Sequence, residues 1–410
     1  FMKIHWCTQR IFALQSNIQM KKILVINLGW EQVPLIDYLA GLTDCQLFGI
    51  HSSNDPYRSE IFKTIHTCDL RDLPSILDFA NNVTPDAVIS DQCDYSLFAQ
   101  AVIAEKFNLP GPSLISAQLT NNKYLQRERA HAKGLTIPAY KLCTVVDDVK
   151  TFGENYGYPL IVKPLDNRGS FGVVKVESPE SVDSGFIDAL IHSHSRQVIV
   201  EEFIEGIHIT VDGYAFKELG SKSLSLATKQ LVGENTQVAV GIVYPGDLES
   251  ELFEKAMSVN EIVNKSLMYN FGMTHSEYMI RGEEIYLIES ANRGGGVFTS
   301  EIIVPSSSGV DLLSQYAADC LGETCSNYKM PDHNQVVLRF FSFAPGCVIG
   351  VEGWENITKN PRILASEIFI KLGDTISPIT SDANRHGFFI LEGSSDDAEA
   401  IFDTVKVTYA

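Results

Sequence analysis

Short apolar runs and longer periodic stretches alternate along the chain. Three runs open it, KKILVINLG (21–29), QLFGI (46–50) and PDAVIS (85–90), each followed by turn-rich or helix-like sequence. That rhythm predicts βα units and a parallel sheet. SLFAQAVIAEKFNLPG (96–111) carries helical periodicity and stops at Pro110-Gly111, which places a first domain over residues 21–113. LTNNKYLQRERAHAKG predicts one helix closed by Gly134. From Pro138 to about residue 245 the pattern turns β-rich, through YPLIVKP, FGVVKV, QVIVEEFI, HITVDGYAF and TQVAVGIVYP. A long helix over 248–272 follows. THSEYMI and EEIYLIES then predict a hairpin joined by Arg281-Gly282-Glu283, and a helix ends at Gly322. A core domain over 114–330 results, and residues 331–410 predict a separate block of strands and one helix.

Composition narrows the partners. A chain of 410 residues has room for two or three domains. A net charge of −19 argues against nucleic acid, whose phosphates demand clustered Lys and Arg. No apolar run approaches about 18 residues, so no membrane span is expected. Eight cysteines without a C-x-x-C pair read as reduced thiols of a cytoplasmic protein. The first twenty residues make a poor signal peptide, and Met20 precedes a natural first strand. Residues 1–19 are therefore expected to be a leader or an extension. The loop NLGWEQ lacks G-x-G-x-x-G, so no dinucleotide fingerprint is present.

The polar residues at strand ends carry the chemistry. Lys163 ends an apolar strand and is followed by Gly169, Ser170 and Gly172. A Gly-rich hairpin lays backbone N–H groups over phosphates with the lysine as a point charge, and a snorkelling surface lysine is the plain alternative. QVIVEEFIEG ends a strand in Glu201 and Glu202. The backbone of Phe203 and Ile204 offers adenine an edge, with Glu201 accepting from its amino group, unless both acids are simply solvated. With a three-residue loop at 281–283, Glu277 and Glu289 become diagonal neighbours on one face, about 7–8 Å apart at Cα. Two carboxylates so placed suit Mg2+, which takes few protein oxygens and fills its shell with phosphate and water. In LIESANRGGG (287–296) an acid is followed by an arginine and bare backbone, a pattern suited to holding anions on a metal.

The ordered set of Lys123, Lys163 with RGSFGV, EEFIEG, and Glu277 and Glu289 with Arg293 resembles the ATP-grasp superfamily. The resemblance runs over nearly all of residues 21–410. GCVIGVEGWENI, KLGDTISP and SDANRHGFFILEG are similar to the C-terminal domain of its L-amino-acid ligase branch. The resemblance implies an α/β protein with an ATP-grasp fold, an N-terminal parallel-sheet (pre-ATP-grasp) domain and a C-terminal α+β domain. Residues 138–205 would form a lid, its RGSFG loop the most mobile part when empty. It further implies that Lys123 and Lys163 contact ATP phosphates, that the loop at 169–172 closes over them, and that Glu201–Ile204 hold adenine. Glu277 and Glu289 would ligate Mg2+, open to substitution by Mn2+, and Arg293 would steady the substrate carboxylate or acyl phosphate.

Two positions depart from the family pattern. His208 stands where a ribose-binding glutamate is usual, and can still make one hydrogen bond. Ala291 replaces the usual metal-binding asparagine. Asn292 follows one residue late and would point to the other face of a regular strand, which weakens it as a metal ligand.

The expected reaction is carboxylate–amine ligation through an acyl phosphate, releasing ADP and phosphate from small-molecule substrates. The chain is compatible with a homodimer. Bicarbonate activation of the carboxylase type, and a nucleotide-binding regulatory protein without turnover, are the alternatives.

Overall fold

The computed structural model describes residues 20–167, 169, 171–231, 238–379 and 385–410. The expected leader, residues 1–19, and Ser170 lie outside them.

The first domain contains β1 (Lys21–Ile26), α1 (Val33–Ala40), β2 (Cys45–His51), β3 (Thr64–Thr67), α2 (Leu73–Val83), β4 (Ala87–Ile89) and α3 (Asp94–Phe107). Its sheet is parallel with order β3-β2-β1-β4. β1, β2 and β4 are almost continuously apolar because both faces are covered, as parallel sheets require. β3, TIHT and half exposed at the sheet edge, has one apolar residue, too little signal to read from sequence.

The stretch expected to form one helix is two, α4 (Leu114–Thr120) and α5 (Lys123–Ala132). The break has a local cause. Asn122 leaves helical geometry at φ −140° and its side chain accepts from Leu125 N at 3.0 Å, capping a new helix with Lys123 at its first position.

Next comes an antiparallel sheet of β5 (Tyr140–Cys143), β6 (Leu160–Pro164), β7 (Val174–Val176) and β8 (Val198–Glu202), in the order β5-β8-β6-β7. Helices α6 (Val146–Tyr156) and α7 (Val182–Ile191) cover it, with Phe152, Phe186, Val162 and Val200 in its own small core. This unit occupies residues 138–205, the span for which a lid is expected.

The core contains β9 (Ile207–Phe216), β10 (Gly220–Leu231), β11 (Ala239–Tyr244), α8 (Ser250–Ser266), β12 (Gly272–Arg281), β13 (Glu284–Ala291), α9 (Val304–Ser308) and α10 (Leu312–Cys320). After it come β14 (Val336–Phe340), β15 (Gly346–Glu352), α11 (Trp354–Thr358), β16 (Ile363–Ile368), β17 (Thr375–Ile376), β18 (Gly387–Glu392), α12 (Ser395–Phe402) and β19 (Lys406–Tyr409). The core and the C-terminal block share one sheet, of order β13-β12-β9-β10-β11-β14-β18-β16, which runs through both. β14 pairs with β11 from Val336↔Tyr244 to Arg339↔Gly241. This block also holds two helices rather than one; α12 begins at a Ser394–Asp397 capping box. α10 packs back against the first domain, where the Tyr316 hydroxyl donates to Ser90 O at 2.6 Å.

Candidate active site

The hairpin β12–β13 organises the site. Its register differs from the expected one: Arg281 pairs with Glu284, so the loop is two residues, and the ladder shifts between Tyr278↔Leu287 and Glu277↔Glu289. Ile288 is the extra residue of a bulge. Glu277 and Glu289 are therefore directly opposite rather than diagonal, which places them on one face and closer together than the diagonal spacing.

Each acid faces a cation. Lys229 Nζ lies 2.8 Å from Glu277 Oε1, and Lys123 Nζ lies 3.1 Å from Glu289 Oε1. Burial alone would raise the Glu277 carboxyl, but Lys229, His208 and His275 outweigh it and hold it well below the usual range. His208 donates from Nε2 to Glu277 Oε2 at 3.0 Å. Burial and the nearby Lys229 push its imidazole below its ordinary value, which keeps the ring neutral and leaves Nδ1 buried without a partner. His275 behaves in the opposite way. Burial would lower it, yet Asp212, 2.7 Å from Nδ1, carries it up to about 9. Asp212 also accepts from the Tyr244 hydroxyl at 3.1 Å.

A second centre lies where β6 meets β8. Glu201, buried, accepts from Arg127 Nε at 2.9 Å and Nη2 at 3.2 Å, and from Lys163 Nζ at 2.8 Å. Arg127 also donates to Ile288 O, the bulged residue, at 2.5 Å. Burial would raise Glu201, but the two cations pull it down; burial lowers Lys163 despite Glu201. The plain alternative of a solvated acid does not hold for Glu201, which is the hub of a buried ion cluster. Both its oxygens are engaged. Glu202 is only half-buried and pairs with Arg281 at the hairpin tip, 3.1 Å away.

The connection after β8 contains Phe203 and Ile204, with Lys175 Nζ 4.5 Å from the Phe203 ring centre. Gly206 follows, and a Cβ there would lie 2.0 Å from Ile280 O, so only glycine lets this connection cross the hairpin so closely. In the connection between β6 and β7, Gly169 and Gly172 have φ of +61° and +72°, which glycine adopts without strain.

A cleft joins these parts. Asp94, Thr120, Lys123, Asp166, Asn167 and Glu289 line it, so the first domain, the α4–α5 junction, the lid loop and the hairpin all reach one place. Lys123 donates to Asn167 O at 2.5 Å and thereby ties the lid loop to Glu289. Arg293 points toward the first domain, its guanidinium held by both carboxylate oxygens of Asp94.

Asn292 Nδ2 donates to Phe271 O at 2.7 Å and Met273 O at 3.0 Å, while its Oδ1, the atom that could ligate a metal, is buried without a hydrogen-bond partner. The bulge precedes Glu289, so the alternation that separates Glu289 from Asn292 is intact. Among the described residues no group of three His, Cys, Asp or Glu side chains stands ready for a metal. Two opposed carboxylates still fit a hard cation whose other ligands come from phosphate and water.

Sequence reasoning missed Arg127, Lys229, Asp212 and His275. Arg127 lies four residues after Lys123 and shares its helix face. Asp212 and His275 are polar interruptions in apolar runs, and His275 shares the face of Glu277.

Residues 156–301 match the ATP-grasp domain family, and residues 339–409 match L-amino acid ligase C-terminal domain 2. The chain thus contains an ATP-grasp domain and has the α/β fold of that superfamily, and its C-terminal segment is similar to that of the L-amino-acid ligase branch. The crystal structure of an L-amino acid ligase from Bacillus licheniformis superposes with a TM-score of 0.81 at 18% identity, covering 96% of this chain and 99% of that one. A phosphoribosylglycinamide synthetase from Anaerococcus prevotii superposes at 0.73 and 18% identity, covering 95% and 100%. A D-alanine–D-alanine ligase from Geobacter sulfurreducens is 26% identical over 182 residues, 44% of this chain and 57% of that protein. An uncharacterized protein of Sinorhizobium fredii is 23% identical over 292 residues, 70% of this chain and 60% of that one. The chain thus spans under two thirds of these curated relatives. No helix among the described residues is long and apolar enough to cross a membrane.

Proposed function

We propose that the chain is an ATP-dependent carboxylate–amine ligase. A carboxylate attacks the γ-phosphate of ATP to give an acyl phosphate and ADP; an amine then attacks the acyl carbon, gives up a proton, and phosphate leaves. The supporting observation is the Lys123–Glu289 contact in the cleft shared by the lid loop, the hairpin and the first domain. The family match of the C-terminal domain favours this branch over other ATP-grasp chemistry.

In this reading Glu277 and Glu289 would hold Mg2+, or Mn2+ in its place, and bound MgATP supplies the electrophilic phosphoryl group. Lys123 and Lys163 neutralise phosphate charge, and Gly169 and Gly172 approach it with backbone. Phe203 and Ile204 present a backbone edge to adenine, with Glu201 and Glu202 beside it, and His208 turns its free Nδ1 to the ribose. Arg293 exchanges Asp94 for the substrate carboxylate. Phosphoryl transfer of this kind needs charge neutralisation and in-line positioning more than a covalent nucleophile.

One arrangement favours a second reading, a nucleotide-binding protein without turnover: Lys229 and His208 both occupy Glu277, and Ala291 stands at the usual asparagine position. A screen of carboxylates paired with amines, followed by ADP release and product mass, decides. Acid-dependent ADP release stimulated by amine supports the ligase. ADP release with bicarbonate alone supports carboxylase-type activation, and tight ATP binding without ADP release supports the regulatory reading.

A further inference from the structure

The far side of the cleft contains a cluster that none of this chemistry uses. In a sheet of order β3-β2-β1-β4 the loops after β1 and β4 leave at the topological switch point, where open α/β sheets bind ligands. These loops are tied together: Gln32 donates to Asp91 O, Asp91 N donates to Gln32 Oε1 at 3.3 Å, and Gln92 Nε2 donates to Glu31 O at 3.0 Å.

Asp91 reaches across to the core. Its Oδ1 accepts from Gly294 N at 2.6 Å, and a Cβ on Gly294 would lie 2.6 Å from Asp91 Oδ2 and 2.2 Å from Ser300 Oγ. Beyond the glycines, Val297 and Phe298 both adopt left-handed backbone, with φ of 56° and 59°. For a β-branched residue that is a strained conformation, retained only where its surroundings impose it. A π-helical turn, Thr299–Ile303, follows directly; such turns are rare and recur at functional sites. Glu301 projects from it, and Gln92 Nε2 donates to its Oε1 at 2.5 Å.

Asp91 and Glu301 meet side chain to side chain, at 2% and 6% exposure. Asp91 Oδ2 and Glu301 Oε2 have no other donor. Two carboxylates have no hydrogen to offer each other, so their contact requires a proton between them.

We propose that Asp91 and Glu301 share one proton and act as a clasp that positions the Gly294–Gly296 loop against the switch-point loops. They are positioning residues for the carboxylate activation proposed above, on which their role in turnover rests; the clasp itself does not depend on it. Burial drives both carboxyls upward, and mutual repulsion drives Glu301 further. The other groups facing the pair are the Arg293 guanidinium, itself paired with Asp94, and the Tyr316 hydroxyl and Cys320 thiol of α10, which burial keeps neutral. Losing the shared proton sets two buried carboxylates against each other and frees the glycine loop, which also carries Arg293.

Hydrogen exchange of residues 294–303 in the ligand-free chain, as protection factors between pH 6 and pH 9.5, reads the clasp without turnover. In the native chain protection falls about tenfold or more toward alkaline pH, the change expected for one buried charge-assisted hydrogen bond. Glu301→Gln places a permanent N–H donor against Asp91 and removes this pH dependence. Glu301→Ala lowers protection at every pH. Equal pH dependence in the native and Gln chains overturns the proposal, as does full protection in the Ala chain. Once a substrate pair is known, the alkaline limb of kcat should disappear in Glu301→Gln. Failure to find any carboxylate-dependent ADP release sinks the ligase reading alone, because exchange still decides the clasp.

Discussion

Replacing Glu201 with Gln should destabilise the ligand-free protein more than replacing Arg127 with Met, although both break the same ion pair. The reason is charge count. Arg127 and Lys163 are 1% and 5% exposed and share one counter-ion. Removing Arg127 leaves the one-to-one Glu201–Lys163 pair and loses two hydrogen bonds to Glu201 and one to Ile288 O. These bonds belong to one coupled network in which Lys163 still neutralises Glu201, so their loss is sub-additive, about 1.5–3 kcal/mol in all. Removing the Glu201 charge leaves two buried cations facing a neutral amide. At an effective dielectric near 20, each lost attraction at this range is about 4 kcal/mol before desolvation is counted. Breaking a buried pair costs about 3–5 kcal/mol, and this case belongs at the upper end. With a urea dependence of about 3 kcal/mol per molar, the midpoint should fall by about 1.3–1.7 M for Glu201→Gln and by less than about 1 M for Arg127→Met. The pH dependence has a defined sign. Glu201 has a depressed folded pKa, so its contribution is present above its unfolded value of about 4.3 and is lost as pH falls through the folded one. The acid limb of stability should therefore be shallower in Glu201→Gln. Urea unfolding at pH 7 and at pH 4 measures both effects. Equal midpoints for the two variants, or a larger loss in Arg127→Met, would refute the hub.

Three further outcomes are expected. Glu289→Gln preserves shape while removing charge, so the fold should survive and metal-dependent ADP release should collapse. Asn292→Ala should instead lose about 1–3 kcal/mol of stability from its buried bonds to Phe271 O and Met273 O, with the metal concentration for half-maximal activity unchanged; a loss of activity matching that of Glu289→Gln would make Asn292 a ligand after all. Arg71 joins Asp69 of the first domain to His194 beside the lid helix α7, at 2.5 Å and 2.8 Å. Arg71→Ala should therefore speed hydrogen exchange at residues 191–197 severalfold, and unchanged exchange there would show that this contact does not hold the lid.

Much of this protein is written in local pattern. Alternation and run length placed the parallel strands, the lid strands and the hairpin, because side-chain direction has period two in a strand and the hydrophobic effect selects one face. The same parity put Glu277 and Glu289 on one face and Asn292 on the other, and the inserted Ile288 left that parity intact. The ordered motifs were enough to signal the superfamily, since each is a short stretch whose chemistry survives outside its context. What sequence alone left undecided is whatever depends on distant segments meeting. The Arg127–Glu201–Lys163 hub joins α5, β8 and β6, and nothing local distinguishes its acid from a solvated one. Asp91 and Glu301 are far apart in sequence and adjacent only because α10 and the glycine loop dock on the first domain. The C-terminal strands look like a separate block, yet join the core sheet because unpaired backbone along β11 is satisfied by β14. Hydrogen-bond satisfaction and charge pairing across long loops are settled by packing, and packing is a property of the whole chain.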